Sequence, residues 1–138
     1  MIDDEQTSFE IVKATIDWKS FEIVPEYAES AAAAMEKIKQ DIPDIVLTDI
    51  MMPGMDGFEF IEWIKTNSYN CEIIILTAYG TFEYARKALD FGVTGYLLLD
   101  FLHCRGSTFR ILRDNIKRFP VYSSLDYLKA GLFIINHQ

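Results

Sequence analysis

The sequence predicts an α/β fold of the doubly wound kind, with one parallel sheet packed between helices. Three observations predict it. Residues 44–49 (DIVLTD), 72–78 (EIIILTA) and 95–100 (GYLLLD) are short runs whose apolar residues are continuous, the pattern of parallel strands buried on both faces. The segments between them place apolar residues three and four apart, the helical period. At 138 residues, half of them hydrophobic, the chain is long enough for one domain with a sizeable core and too short for two ordinary ones.

The elements follow in order. Thr7 and Glu10 have the spacing of a capping box, opening a helix with Phe9, Val12 and Ile16 on one face. Residues 21–28, apolar and β-branched, read as a strand. Ser30 is placed to cap a helix whose inner face carries Ala31, Met35 and Ile38. Asp41 and Pro43 end that helix, because proline disfavours helical geometry in the residue before it. After the strand at 44–49, Phe60, Ile61 and Ile64 mark one helix. Phe82, Ala85 and Leu89 mark the next, which Gly92 terminates with a left-handed residue. A last helix shows Phe109, Leu112, Ile116 and Phe119.

Composition narrows the partners. A net charge of -8 opposes binding to nucleic acid or to an anionic membrane surface. No apolar run has the length of a bilayer span, and no basic stretch followed by an apolar one opens the chain, so a cytoplasmic location is expected. Cys71 and Cys104 have no metal-like spacing and are too few for a disulfide framework, and they read as reduced thiols. His103 and His137 are isolated.

The acids at the strand ends carry the chemistry. In an open parallel sheet, ligands bind beyond the carboxyl ends of the strands. Asp49 closes one strand, Asp3 and Asp4 follow Ile2 where another should end, and Thr77 closes a third. Carboxylates crowded on one edge repel each other unless a cation joins them, and a hard divalent ion such as Mg²⁺ suits an all-oxygen donor set. A carboxylate beside such an ion and a hydroxyl is a plausible nucleophile for phosphorus.

The run from Asp44 through Asp49, Pro53, Asp56 and Gly57 (DIVLTDIMMPGMDG) resembles the phosphoacceptor segment of response-regulator receiver domains. Asp3-Asp4-Glu5 resembles their acidic pair, Leu76-Thr77-Ala78 their switch-threonine segment, and Gly95-Tyr96 the turn into their last strand. The resemblance covers residues 1–119, leaving 120–138 as a C-terminal extension. In detail (Asp17-Trp18, the TDIMMP run, and Phe82-Glu-Tyr-Ala-Arg) it is similar to receivers that precede AraC-type DNA-binding domains, and no such domain is read in this chain.

The resemblance implies a flavodoxin-like five-stranded sheet in the order 2-1-3-4-5. It implies Asp49 as phosphoacceptor, Asp4 contacting Mg²⁺ directly, Asp3 through water, and the Met51 carbonyl as a further metal ligand. Thr77 and the amide of Ala78 would hold phosphoryl oxygens, and Tyr96 would change rotamer on activation. The donor would be the phosphohistidine of a sensor histidine kinase, so the chain would be a signalling domain and not an enzyme. A homodimer is one expected output; direct nucleic-acid contact is not.

Two departures stand out. Such receivers carry lysine and proline three and four residues after the switch aromatic, and Leu99 and Asp100 stand there. The lost ammonium forgoes a charge-assisted contact worth roughly 1.5–3 kcal/mol. The first strand is also short: only Met1 and Ile2 precede the acidic pair. Residues 132–136 (LFIIN) have the composition of that strand, and the expectation is that they fill its slot, from the same chain or from a partner; the alternative is that the tail packs elsewhere.

Three functions compete on these residues. A phosphorylation-controlled interaction module leads. A degenerate pseudo-receiver, binding or dimerising without phosphate, is favoured by Leu99 and opposed by the intact Asp3, Asp4, Asp49 and Thr77. A metal-dependent phosphohydrolase of similar topology wants a second acid two residues after the nucleophile, where Met51 stands.

Overall fold

The computed structural model describes residues 1–15, 17–98 and 131–132. Among them the order is α1 (Gln6–Thr15), a 3₁₀ turn (Trp18–Phe21), β1 (Val24–Pro25), α2 (Ala31–Gln40), β2 (Ile45–Thr48), α3 (Gly57–Thr66), β3 (Glu72–Thr77), α4 (Phe82–Asp90), β4 (Gly95–Leu98) and β5 (Gly131–Leu132). Leu99, Asp100 and the helix expected around Phe109 to Phe119 lie outside the described residues.

The three apolar runs form the heart of the sheet. β2, β3 and β4 are parallel and adjacent in that order, in the register Ile45↔Glu72 to Thr48↔Ile75 and Ile74↔Gly95 to Thr77↔Leu98. Every residue of β2 is buried, as are 73–77 of β3, which is why these strands lack polar alternation. On the other side, β1 pairs in parallel with β5. Ile2 joins the two sheets. It bridges Ala28 and Thr48 at once, donating its N–H to the Leu47 carbonyl at 2.8 Å and accepting from Asp49 N–H at 3.0 Å. Toward β1, Ala28 N–H reaches the Met1 carbonyl at 2.9 Å and Asp3 N–H the Ala28 carbonyl at 3.3 Å. Ile2 thus occupies a central strand position between β1 and β2, consistent with the doubly wound arrangement expected.

Local chemistry sets the helix ends. Ser30 accepts from Ala33 N–H at 3.2 Å and caps α2, which ends at Asp41. Asp56 and Glu59 form a full capping box on α3, with Asp56 accepting from Phe58 and Glu59 amides while Glu59 accepts from Asp56 N–H. Thr81 caps α4, and Gly92, at φ +60°, follows its C-terminus.

Three local expectations are corrected. Helix α1 begins at Gln6, so Thr7 lies inside its first turn, and Glu10 accepts from the Gln6 side chain at 3.1 Å instead of closing a box with Thr7. The strand expected over 21–28 contracts to Val24–Pro25 plus the Ala28 bridge. Residues 18–21 coil into a 3₁₀ turn that leaves Glu22 left-handed at φ 54°. On α4, Ala88 is the buried residue and Ala85 packs against the core. Phe82 and Leu89 face solvent at 82% and 74% exposure. Threefold and fourfold spacing identified the helix; it did not identify the buried side.

Ile2 is fully buried between β1 and β2, so Ile2→Ala is expected to cost about 2–5 kcal/mol of stability. Val24→Ala, at a largely exposed position, should stay within about 0.5 kcal/mol. Urea unfolding of both variants checks this; similar midpoints would contradict the central placement of Ile2.

Candidate functional site

Parallel register brings the strand ends together. Beyond Thr48↔Ile75 and at Thr77↔Leu98, the chain delivers Asp49 and Thr77 to the same edge of the sheet. The Ile2 bridge delivers Asp3 and Asp4 there too, because Asp49 N–H bonds directly to the Ile2 carbonyl.

Asp49 is partly buried and well held. Its Oδ1 accepts the Ile50 N–H at 2.6 Å, and the Met51 N–H and the Thr77 hydroxyl lie near enough to stabilise its charge. Desolvation by burial raises its pKa above the ordinary carboxylate value, these three donors oppose the rise, and the charge of Asp4 adds to it.

The remaining predicted residues fall as follows. Asp3 is buried, its Oδ1 accepting Glu5 N–H at 2.7 Å, while Asp4 is exposed. Met51 is half-exposed and Ala78 exposed. Among the described residues, no three acidic, histidine or cysteine side chains close into a ready metal-binding cluster. The expected set of Asp3, Asp4 and Asp49 therefore shares an edge without converging, as repulsion between carboxylates dictates. The donors still fit a hard cation in kind, since all are carboxylate or carbonyl oxygens. Cys71 carries a free thiol whose pKa burial pushes up to about 11, consistent with an unreactive reduced cysteine.

Sequence reasoning missed two features. Thr77 is buried, and its Oγ1 accepts Tyr79 N–H at 3.2 Å while its hydroxyl serves Asp49. The Tyr79 carbonyl in turn accepts the hydroxyl of the buried Tyr96 at 3.3 Å. Thr77, Tyr79 and Tyr96 thus form one hydrogen-bonded chain beside Asp49, which passes through the backbone of Tyr79 and so leaves no trace in residue types. The second feature is Gly57, named above only as part of the run that closes the phosphoacceptor segment. A Cβ there would stand 2.1 Å from the Asp49 carbonyl oxygen, and Gly57 N–H bonds to the Ile50 carbonyl at 2.9 Å. The start of α3 is pressed against the Asp49 backbone, and only glycine allows it.

Comparison with known proteins agrees with this arrangement. Residues 1–102 match the response regulator receiver domain family. The chain is 38% identical over 100 residues to the uncharacterized transcriptional regulatory protein YesN of Bacillus subtilis, covering 71% of this chain and 27% of YesN. It is 33% identical over 104 residues to the transcriptional regulatory protein HptR of Staphylococcus aureus, covering 75% of this chain and 40% of HptR. The chain therefore spans well under half the length of these relatives. Among solved structures it resembles the receiver domain of AraT, a response regulator from Geobacillus stearothermophilus, at 30% identity and TM-score 0.69, covering 84% of this chain and 86% of that one. The signal receiver domain of a LuxO repressor protein from Vibrio parahaemolyticus shares the fold at TM-score 0.72 and 20% identity, covering 84% and 83%.

The chain belongs to the response regulator receiver domain family. Receivers are the signalling domains of two-component systems, accept phosphoryl groups from sensor histidine kinases, and as a family use an aspartate and Mg²⁺. No helix among the described residues is long and apolar enough to cross a membrane.

Two outcomes follow from the site. Gly57→Ala should destabilise the fold by about 1–3 kcal/mol, the usual cost of overpacking, because the opposing atoms are backbone; an unchanged unfolding midpoint would contradict the close approach. Asp49 has a raised pKa, so the folded chain holds that proton more tightly than the unfolded one. Its contribution favours folding at acid pH and is lost as pH rises from the ordinary carboxylate value through the folded value. Asp49→Asn should therefore gain stability relative to the parent between about pH 4 and neutrality. Melting temperatures at the two pH values check it; a constant difference would contradict the burial argument.

Proposed function

We propose that Asp49 is the phosphoacceptor of this receiver, taking a phosphoryl group from the phosphohistidine of a sensor histidine kinase. The observation that carries the reading is the setting of Asp49: a partly buried carboxylate at a strand end, held by Ile50 and Met51 amides and the Thr77 hydroxyl, beside Asp4. In the transfer, a carboxylate oxygen of Asp49 bonds to phosphorus as the phosphorus–nitrogen bond to the donor imidazole breaks, and the electron pair leaves with the imidazole. Such transfer depends mainly on alignment and charge neutralisation. The residues that would hold Mg²⁺ are Asp4 and Asp49, Asp3 through water, and the Met51 carbonyl; the ion would neutralise the charge gathered there.

The chain's own groups do the rest. The Ile50 and Met51 amides orient Asp49 before any phosphoryl arrives. Thr77 and the Ala78 amide would then take up phosphoryl oxygens. A Thr77 hydroxyl drawn away from Asp49 disturbs the Tyr79 amide it accepts, and through the Tyr79 carbonyl the Tyr96 hydroxyl. Output is altered contact on the face around Tyr96, and Phe82 and Leu89 of α4 also expose apolar surface for a partner or a second copy. The net charge of -8 argues against direct nucleic-acid contact by this chain.

A second reading rests on Leu99 and Asp100. With no ammonium at that position, phosphorylation loses one stabilising contact, and a pseudo-receiver that binds partners without phosphate uses the same fold. Intact-mass spectrometry after incubation with acetyl phosphate separates the two. A Mg²⁺-dependent single phosphoryl adduct, absent from Asp49→Asn, is expected. No adduct on the folded parent chain would overturn the phosphoacceptor reading in favour of the pseudo-receiver.

A further inference from the structure

Between β1 and β2 the sheet has a slot that Met1 and Ile2 fill only in its downstream half. Ile2 stands opposite Ala28 and Thr48. Upstream, Ile45–Val46 of the buried strand β2 turn backbone groups toward the same slot, and buried backbone groups require partners. Gly131–Leu132 enters there, parallel to β1 in the register Val24↔Gly131 and Pro25↔Leu132, with Cα atoms within 8 Å of β2.

We propose that the central strand is composite. The chain's own segment at Gly131–Leu132 docks in cis into the upstream half of the slot, and Met1 and Ile2 fill the downstream half. Three observations support this occupant. Gly131–Leu132 is already in parallel register with β1. The residues that follow, Phe133, Ile134 and Ile135, continue an apolar run suited to a strand covered on both faces. At the head end, the Met1 ammonium is buried and bonded to the Glu26 carbonyl at 2.6 Å, so the head lies within the sheet.

Register also limits the docking. Carried on unchanged, the β1–β5 ladder would set Ile134 and Ile135 opposite Tyr27 and Ala28, and Ala28 is already the partner of Ile2. The tail and the head therefore compete for the downstream half. With Met1 and Ile2 in place, the same register leaves room for one further residue after Leu132; residues 133–136 of the expected strand lie outside the described residues. Tail insertion beyond that point would bring Asn136 and His137 to the positions of Asp3 and Asp4, an amide and an imidazole in place of two carboxylates. The length of tail inserted is thus tied to whether the acidic pair remains at the site. This inference is independent of whether Asp49 accepts phosphate.

Cysteine pairing in the full chain tests it. Neighbouring strands lie about 4.8 Å apart, within disulfide reach. Val24→Cys with Gly131→Cys, in a chain whose Cys71 and Cys104 are replaced by alanine, should give an intramolecular disulfide on mild oxidation by diamide, located by non-reducing peptide mapping. Val24→Cys with Ile135→Cys, about 13 Å out of register, should not link. An intermolecular disulfide would overturn docking in cis and assign the slot to a second copy. No disulfide in the folded variant, or equal linking of the out-of-register pair, would overturn the register. Should the cysteine variants fail to fold, Leu132→Asp in the parent chain decides: amide exchange should quicken by about an order of magnitude at Val24 and Glu26, whose N–H groups face the slot, while Ile74 and Ile75 stay protected. Unchanged exchange at Val24 and Glu26 would place the tail elsewhere.

Discussion

One residue's backbone holds the structure together. Ile2 donates to Leu47 and accepts from Asp49 on one side, while its neighbours Met1 and Asp3 bond Ala28 on the other. Without these bonds the β1 pair and the three-stranded β2–β3–β4 sheet would share no ladder. The same bonds set the site, because a strand ending at Ile2 must release Asp3 and Asp4 beside the residue that follows Thr48. Fold and chemistry therefore depend on a single bridge. A buried isoleucine at 0% exposure supplies its apolar anchor.

At the site, opposing electrostatic effects meet on Asp49, and burial prevails. Burial and Asp4 disfavour the charged form of Asp49, while two amides and a hydroxyl favour it. A carboxylate in that position is neither solvated nor neutralised, and it gains from a cation or a covalent partner more than an exposed aspartate would. The threonine that stabilises it is itself anchored to Tyr79, and Tyr79 to Tyr96. A change at Asp49 thus acts beside a bonded route from Thr77 to the Tyr96 side chain of β4. Gly57 guards the other flank by letting α3 close on the Asp49 carbonyl.

Much of this was legible in the sequence, for identifiable reasons. The strands at 45–48, 72–77 and 95–98 are apolar throughout because both faces are covered, and continuous apolarity is easily read. Ser30 and Gly92 act through local chemistry, and local chemistry is written in residue types. The misreadings arose where tertiary context decides. Residues 21–28 have strand composition, yet only Val24–Pro25 and Ala28 find partners. Phe82 and Leu89 are apolar and helically spaced, yet the packing side of α4 is set by Ala85 and Ala88. At the site, Asp49 and Thr77 were found from strand-end position, whereas the Tyr79 link runs through main-chain atoms that any residue would supply. The capping box at Asp56 and Glu59 was readable from its spacing and was passed over within a longer motif.

The most direct test of the account is native-state amide hydrogen exchange at Ile2, Ala28 and Asp49. If Ile2 is a true central-strand residue joining both sheets, these amides should exchange only through global unfolding, as slowly as Ile74 in β3. Exchange at the rate of a fraying terminus, with Ile74 still protected, would contradict it. In that case the acidic pair would have no fixed place beside Asp49.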